Sequence, residues 1–302
     1  MNKKTKATDV LPIFLMGCLF VLIDFLALLV AGPFEAAGAV AFENPNDPYN
    51  LAYFFLILLA FTAAILLIAR YWKKQTVRVI FLGAAGLLDV YVFYPLLAIV
   101  VPDAWLTLGL SVAAAAILLI MLVKNPEWYV VNTSAILSGI GGIAMLGISL
   151  SILIVLVLLI SMSVYDALSV YKTKHMIDLA DTVVDLKLPV MFVIPKKRDY
   201  SLVKETKSLK EKLEEGEKRD AFFLGVGDVV FPGILAVSAF HNLSSNGLLI
   251  TLSVILGTLL GFTALMAVAL KGKPQAGLPF LCTGAILGYL LASYLVFGAL
   301  VI

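Results

Sequence analysis

The chain has 302 residues, of which 62% are hydrophobic and 14% charged, and its mean hydropathy of +1.04 lies far above the range of soluble proteins. A net charge of +2 gives no basic surface of the kind that nucleic-acid binding requires. These values exclude a soluble globular enzyme and a nucleic-acid-binding protein, and they predict a chain that crosses a lipid bilayer several times.

Apolar runs of about 20 residues recur along the chain, and each predicts a transmembrane helix because lipid offers no partner to an unpaired backbone group. We find nine such runs, and the fifth and sixth are divided near residues 147–151 because no charge separates them. The predicted spans are residues 11–32, 51–70, 78–101, 104–123, 130–148, 150–171, 221–243, 247–270 and 279–300. The predicted fold is an all-α polytopic membrane protein.

The basic residues all fall on one side of this arrangement. All 22 Lys and Arg residues lie before the first span, in the second, fourth, sixth and eighth connections, or at the span ends that border these connections. The charged residues of the opposite connections are the acidic Glu35, Glu43, Asp47 and Asp103. Because Lys and Arg gather on the cytoplasmic side, we expect a cytoplasmic N-terminus, an outside C-terminus and a location in the cell membrane.

Polarity divides the chain into six spans (1–171), a polar cytoplasmic loop (172–220) and three further spans (221–302). Inside the loop a β-prone run at 190–194 is enclosed by prolines. It is either a hydrophobic loop resting on the bundle or an edge strand that pairs with an extended peptide. The charged residues 201–220 indicate a solvated or disordered segment without chemistry.

The cysteines and histidines give no sign of a metal or a disulfide. Cys18 and Cys282 both fall within predicted spans, while His175 and His241 lie far apart without Cys or acidic clusters at ligand spacing. We therefore expect neither a metal nor another cofactor. Asn132 begins an N-x-S/T sequon, but it is predicted on the cytoplasmic half, where glycosylation is not expected.

Four aspartates lie inside the predicted spans, where a carboxyl group is costly and therefore a functional candidate. Asp24 and Asp89 lie near the middle of the first and third spans, where we expect buried structural hydrogen bonds, with a functional role as the alternative. Asp166 and Asp228 lie six and nine residues from the basic cytoplasmic edge. At 1.5 Å per residue these offsets are roughly 9 and 13 Å, so the two carboxyl groups face each other at one level.

Two facing carboxyl groups in a site of low dielectric cannot both ionise cheaply and tend to share one proton. This arrangement permits aspartic-protease chemistry, in which the ionised partner activates water and the protonated partner stabilises the oxyanion. The alternatives are a buried structural pair, a cation or proton-coupled transporter or channel that uses the pair as its ion site, and a scaffold that binds helices without cutting them.

The residues around the pair resemble a known family. Tyr165-Asp166 and Gly225-Val226-Gly227-Asp228 are similar to the Y-D and G-x-G-D motifs of the presenilin and signal peptide peptidase family of intramembrane aspartyl proteases. Nine spans and a long loop between the two motifs extend the resemblance over essentially the whole chain. The resemblance implies that Asp166 and Asp228 are catalytic.

The third signature of the family, Pro-Ala-Leu, has a partial counterpart in Ala276-Gly277-Leu278, which Pro279 follows. An ordinary proline turn at a helix start is the alternative. By resemblance this element borders the catalytic pair and helps to position the substrate. The residues expected to position the substrate are Tyr165, Gly225, Gly227, Gly277, Leu278 and Pro279.

The resemblance also implies the partners. The substrate is expected to be a transmembrane helix, from a single-span protein or a signal peptide, that unwinds in the bilayer and is held as a strand against 190–194. The orientation is similar to that of presenilins, and the short chain resembles compact microbial relatives that act without further subunits. The pairs Gly257/Gly261 and Gly284/Gly288 allow close helix packing, within the bundle or between protomers of a homo-oligomer.

Overall fold

The structure, a computed structural model, describes residues 4–71, 74–173, 183–184, 186–197, 199–204, 220–243, 246–269 and 275–301. These residues contain nine α-helices and one antiparallel sheet of two strands. The helices are α1 (Lys4–Ala36), α2 (Tyr49–Tyr71), α3 (Lys74–Ala98), α4 (Ala104–Lys124), α5 (Trp128–Ser149), α6 (Ile152–Leu168), α7 (Val226–Asn242), α8 (Gly247–Ala269) and α9 (Leu278–Phe297). The strands are β1 (Met191–Pro195) and β2 (Ala221–Gly225), and a π-helical turn, Ser169–Thr173, continues α6.

Most of these helices are long and apolar enough to cross a bilayer. Among the described residues, seven helices meet both conditions, while α7 and the segment Tyr49–Ala64 of α2 are shorter apolar helices. Every predicted span overlaps one of the observed helices. The chain is therefore a multi-pass membrane protein of largely helical structure.

The prediction that residues 221–243 form one helix is wrong at its start. Residues 221–225 form β2, and α7 begins only at Val226. Gly225, which precedes the helix, has an extended backbone with φ −63° and ψ 140°. The run is apolar on both sides of Gly225, so hydropathy alone gives no sign that the strand ends and the helix begins there.

The run at 190–194 is a strand, but its partner belongs to the same chain. β1 pairs with β2 in a register that sets Val193 opposite Phe223. The Val226 N–H donates to the Val190 carbonyl (3.1 Å), and the Lys196 N–H donates to the Asp220 carbonyl (2.9 Å). Because hydrogen-bonded and non-bonded pairs alternate in an antiparallel ladder, the backbone N–H and C=O of Val193 and of Phe223 point away from the other strand.

The two outer edges of this sheet differ. On the β1 side, the carboxamide of Asn132 in α5 accepts from the Val193 N–H (2.7 Å) and donates to the Val193 carbonyl (2.8 Å). On the β2 side, no further strand is present in the described part of the chain. The expectation that a peptide pairs with 190–194 is therefore wrong, because β2 lies along one edge of β1 and Asn132 holds the central position of the other.

Helix α7 lies between two hydrophobic cores. One core packs α7 against α1 and α5 and includes Phe20, Ile143 and Val237. The other packs it against α6, α8 and α9 and includes Leu158 and Tyr289. Seven residues from Gly233 to Ala239 are buried in succession, so every face of this part of α7 is covered by protein.

The polar loop is anchored to the N-terminal end of α5. Glu127, which precedes α5, accepts hydrogen bonds from the Ser201 hydroxyl (2.6 Å) and the Leu202 N–H (3.0 Å), and Leu202 is fully buried. The expectation of a solvated segment from residue 201 is therefore wrong for these first residues. Residues 205–219 and His175 lie outside the described part of the chain.

Helices α8 and α9 approach each other at the two glycine pairs. A Cβ added to Gly257 would collide with the Gly284 carbonyl oxygen, and one added to Gly261 would collide with the Phe280 carbonyl oxygen. A Cβ added to Gly288 would likewise collide with the Ser253 carbonyl oxygen. These glycines serve packing within the bundle, since their missing side chains let two backbones touch.

Replacing Gly257 by Ala is expected to lower the stability of the protein by about 1–3 kcal/mol, because a backbone carbonyl cannot move aside for the new methyl group. The matched control is Gly109→Ala in α4, where nothing lies within 4 Å of the added Cβ. Thermal unfolding of both variants in detergent, followed by circular dichroism, measures the difference. Equal unfolding temperatures would contradict the close α8–α9 contact.

Candidate active site

Asp166 lies in the last helical turn of α6 and is buried, with 5% of its surface exposed. Its Oδ2 atom accepts a hydrogen bond of 3.0 Å from the backbone N–H of Leu278. Leu278 is the first residue of α9, and the N–H groups of a first turn have no acceptor within their own helix. The Asp166 carboxyl group therefore caps α9 from a different helix.

Asp228 lies in the first turn of α7, three residues after the end of β2. The positive end of the helix dipole favours a carboxylate at this position. Pro232, four residues later, has no N–H to donate to the Asp228 carbonyl. The start of α7 thus carries both an acidic side chain and a backbone acceptor within an apolar helix.

The two carboxyl groups meet at the Gly277–Leu278 peptide. A Cβ added to Gly277 would lie 2.8 Å from Asp228 Oδ1 and 3.1 Å from its Cγ, so the Asp228 carboxyl group rests against the bare face of Gly277. Asp166 binds the next residue, Leu278, so both carboxyl groups contact the same peptide unit. The structure therefore brings Asp166, Asp228 and the Gly277–Leu278 peptide together, although they lie far apart in the sequence.

The substitution of glycine for the alanine of the signature has a visible reason in this geometry. Gly277 has φ −79° and ψ −48°, a helical conformation open to any residue. The glycine thus leaves space for the Asp228 carboxyl group, and backbone strain gives no reason for it. Pro279 takes the second position of α9, where its lack of an N–H costs no helical hydrogen bond.

The other predicted site residues, Tyr165, Gly225 and Gly227, lie beside the two aspartates. Tyr165 lies beside Asp166 on α6, but its side chain is half-exposed at 49%. Gly225 lies close to Asp228, because its added Cβ would be 3.4 Å from Oδ2. An added Cβ on Gly227 would meet only Phe231 of the same helix. Gly225 and Gly227 are both exposed, so this side of Asp228 is open to approach.

Two further contacts around the site, and one further buried residue, were not predicted. The Tyr171 hydroxyl, in the π-helical turn, donates to the Gln275 side-chain oxygen (3.0 Å), and the Ser163 hydroxyl lies 3.4 Å from the Leu278 carbonyl. Cys282, one turn after Leu278 on α9, is fully buried. No sequence signal joins these residues, since the first two contacts connect positions more than a hundred residues apart.

Asp24 and Asp89 lie elsewhere in the bundle. Asp89 is fully buried in α3 and accepts from the Ser134 hydroxyl (3.3 Å), as expected for a structural hydrogen bond. Asp24 packs against the backbone of α7, since a Cβ on Gly233 would lie 2.6 Å from its Oδ1. Within the described residues, no group of three His, Cys, Asp or Glu side chains has the arrangement of a metal site.

The arrangement of the two carboxyl groups indicates the class of protein. Two carboxyl groups on consecutive helices of a membrane bundle, one buried and one half-buried, can share a proton and activate a water molecule. A peptide bond is the substrate for which this chemistry is best known. The arrangement is therefore compatible with aspartic-protease chemistry inside a membrane.

Comparison with known proteins agrees with this class. The family model described as signal-peptide peptidase, presenilin aspartyl protease matches residues 17–299. A presenilin family intramembrane aspartate protease, solved in two crystal forms, is similar over 95% of this chain and 99% of its own. The identity is 32% with a TM-score of 0.71 for the P2 form, and 28% with 0.68 for the C222 form. No curated protein matches the chain.

The chain belongs to the signal-peptide peptidase and presenilin family of aspartyl proteases, because the family model covers nearly all of it. It is an intramembrane aspartyl protease and thus a hydrolase. Members of this family act on transmembrane substrates within the bilayer. The comparisons do not support the alternative of a transporter or channel.

Replacing Gly277 by Val is expected to lower kcat/KM by about 100-fold or more, because the side chain displaces the Asp228 carboxyl group and misplacing a catalytic group by 1 Å costs about that factor. Cleavage of a labelled single-span peptide measures the loss. Gly109→Val is the control, since it adds the same side chain at a position with free space around it. A Gly277→Val variant of full activity would show that Asp228 does not act from its position against Gly277.

Proposed function

We propose that Asp166 and Asp228 are the catalytic pair with which this protease hydrolyses peptide bonds inside transmembrane helices, using water and no cofactor. The observation that carries the proposal is the meeting of both carboxyl groups on the Gly277–Leu278 peptide. A buried structural pair would need no such shared contact with the start of a third helix.

The reaction follows from a shared proton. The ionised carboxyl group takes a proton from water, whose oxygen attacks the peptide carbonyl, while the protonated carboxyl group donates a hydrogen bond to the developing oxyanion. The resulting diol collapses when a proton passes to the leaving nitrogen, and the C–N bond breaks. Both products then carry ordinary termini, and the pair returns to its starting state with one proton.

The substrate needs a backbone partner, because a helix hides its carbonyl groups in internal hydrogen bonds and cannot be cut until it unwinds. The outer edge of β2 offers such a partner. The N–H and C=O of Phe223 point to that edge, and Asp228 follows five residues later in the chain. A substrate strand paired with β2 would thus present its carbonyl groups close to the catalytic pair.

The charge distribution supports an orientation for the whole protein. With all 22 basic residues on the cytoplasmic side, nine spans give a cytoplasmic N-terminus and an outside C-terminus in the cell membrane. Residues 1–171 and 221–302 then contain the transmembrane helices and supply one catalytic aspartate each, and 172–220 form the cytoplasmic loop. The substrates would be single-span proteins or signal peptides with an outside N-terminus, cut in their cytoplasmic half.

Asp166→Asn and Asp228→Asn are each expected to lower cleavage by at least about 100-fold, since an amide can neither take nor give the catalytic proton. Mass spectrometry of a purified sample incubated with single-span substrates detects the products. The wild-type rate should be bell-shaped in pH, because one carboxyl group must be ionised and the other protonated. Asp103→Asn, at the exposed start of α4, is the control, and equal cleavage by all variants would refute the assignment.

Phe223→Pro is expected to raise KM or abolish cleavage, because proline removes the N–H that faces a docked strand. The bonds between β1 and β2 should survive, since this N–H does not point toward β1. Phe223→Ala is the matched control: it removes the same ring and keeps the N–H. If both variants lose the same activity, the side chain matters and the proposed strand pairing is wrong.

A further inference from the structure

We propose that Asn132 is a positioning residue of this protease: its carboxamide fixes the sheet relative to the catalytic pair and so selects the peptide bond that is cut. The inference rests on the proposed function, because it assumes that the substrate pairs with β2. Asn132 belongs to neither of the motifs that surround the aspartates, and it lies 61 residues from the strand that it binds.

The contact between Asn132 and Val193 imitates the pairing of two strands. The side-chain oxygen accepts from the Val193 N–H at 2.7 Å, and the side-chain nitrogen donates to the Val193 carbonyl at 2.8 Å. A carboxamide has one acceptor and one donor side, and both are used here on a single residue. Val193 itself is fully buried. Without Asn132 its backbone N–H and C=O would lose their hydrogen bonds, and water could not reach them to replace these bonds.

This contact also leaves the substrate a single place to pair. The outward N–H groups of β1 belong to alternate residues, and one of these positions is Pro195, which has no N–H. Asn132 occupies Val193, the central outward position. An incoming strand therefore finds its hydrogen-bonding partners along β2 and not along β1.

The same helix that carries Asn132 also contacts the beginning of α7. Gly139 lies two turns after Asn132 on α5, and its added Cβ would be 4.0 Å from both Val226 and Val230. Gly142, close by on α5, packs against Val230 as well. One rigid helix thus holds the sheet at Asn132 and the Asp228-bearing helix at Gly139, which sets the distance between the docking edge and the catalytic pair.

Losing the carboxamide would separate these two functions. The α5–α7 contact would still hold Asp228 in place, because it lies further along α5, at Gly139, Gly142 and Gly147, and does not involve Asn132. The sheet would then be held to α5 by apolar packing alone, in which Val131 and Val193 take part. Apolar packing is not directional, so the sheet and the paired substrate would shift along α5. The expected result is an active enzyme that cuts at several neighbouring bonds, whereas a residue important only for folding would lower the amount of active enzyme and leave the cleavage site unchanged.

The test compares Asn132→Ala, which loses both hydrogen bonds, with the isosteric Asn132→Asp, which loses the donor to the Val193 carbonyl. Thr133→Ala is the control, since Thr133 is the exposed neighbour and bonds only within its own helix. Two measurements are made on folded, detergent-solubilised full-length protein. The first is amide hydrogen exchange of residues 191–195, and the second is the mass of every product from one single-span substrate.

We expect exchange at Val193 to be about tenfold faster or more in Asn132→Ala, because a buried backbone donor has lost its partner. Exchange should also be faster in Asn132→Asp, because a carboxylate oxygen faces the Val193 carbonyl oxygen and repels it, and in both variants the products should spread over neighbouring bonds. Unchanged exchange would overturn the clamp, and faster exchange with the wild-type cleavage site would overturn its role in positioning. If Asn132→Ala fails to fold, the isosteric Asn132→Asp decides. If wild type and Thr133→Ala cut nothing, the proposed function falls and the positioning role falls with it.

Discussion

The hydrogen bond from the Leu278 N–H to the Asp166 carboxyl group is the interaction on which the rest of the site depends. A helix that starts inside a membrane protein has N–H groups without acceptors, and a buried carboxyl group needs donors. Each group satisfies the other. Because Asp166 belongs to α6 and Leu278 to α9, the bond ties the first six helices to the last three across a polar loop. The adjacent Gly277 then provides the space that the Asp228 carboxyl group occupies.

A strand inside a membrane protein is tolerated only where protein or a water-filled cavity covers it. The two strands of the sheet differ in how far protein covers them. β1 is buried, with Asn132 closing its outer edge, while β2 has no further strand beside it in the described residues. This asymmetry suits a protease whose substrate must exchange helical hydrogen bonds for others before it can be cut. The strand with the open edge is also the one that leads directly into Asp228.

The positions of the helices followed from the sequence to a large extent, because a bilayer imposes a length of about 20 apolar residues on each span. The aspartates stood out for the same reason, since carboxyl groups in apolar runs are rare. Hydropathy does not predict the structure of residues 221–225. Strand and helix are equally apolar there, and the strand exists only because β1, nearly 30 residues earlier in the chain, pairs with it. A local pattern carries no information about such a partner.

The sequence by itself determined that this is a polytopic membrane protein, that two aspartates lie at one depth, and that their motifs are those of an aspartyl protease family. Each of these features depends on composition or on short spacings along one helix. Only the tertiary structure decided that the Asp228 carboxyl group packs against Gly277, that Leu278 binds Asp166, and that Asn132 rather than a substrate binds the outer edge of β1. Those contacts join residues between 49 and 112 positions apart, and folding brings them together through the packing of entire helices, which no local pattern encodes.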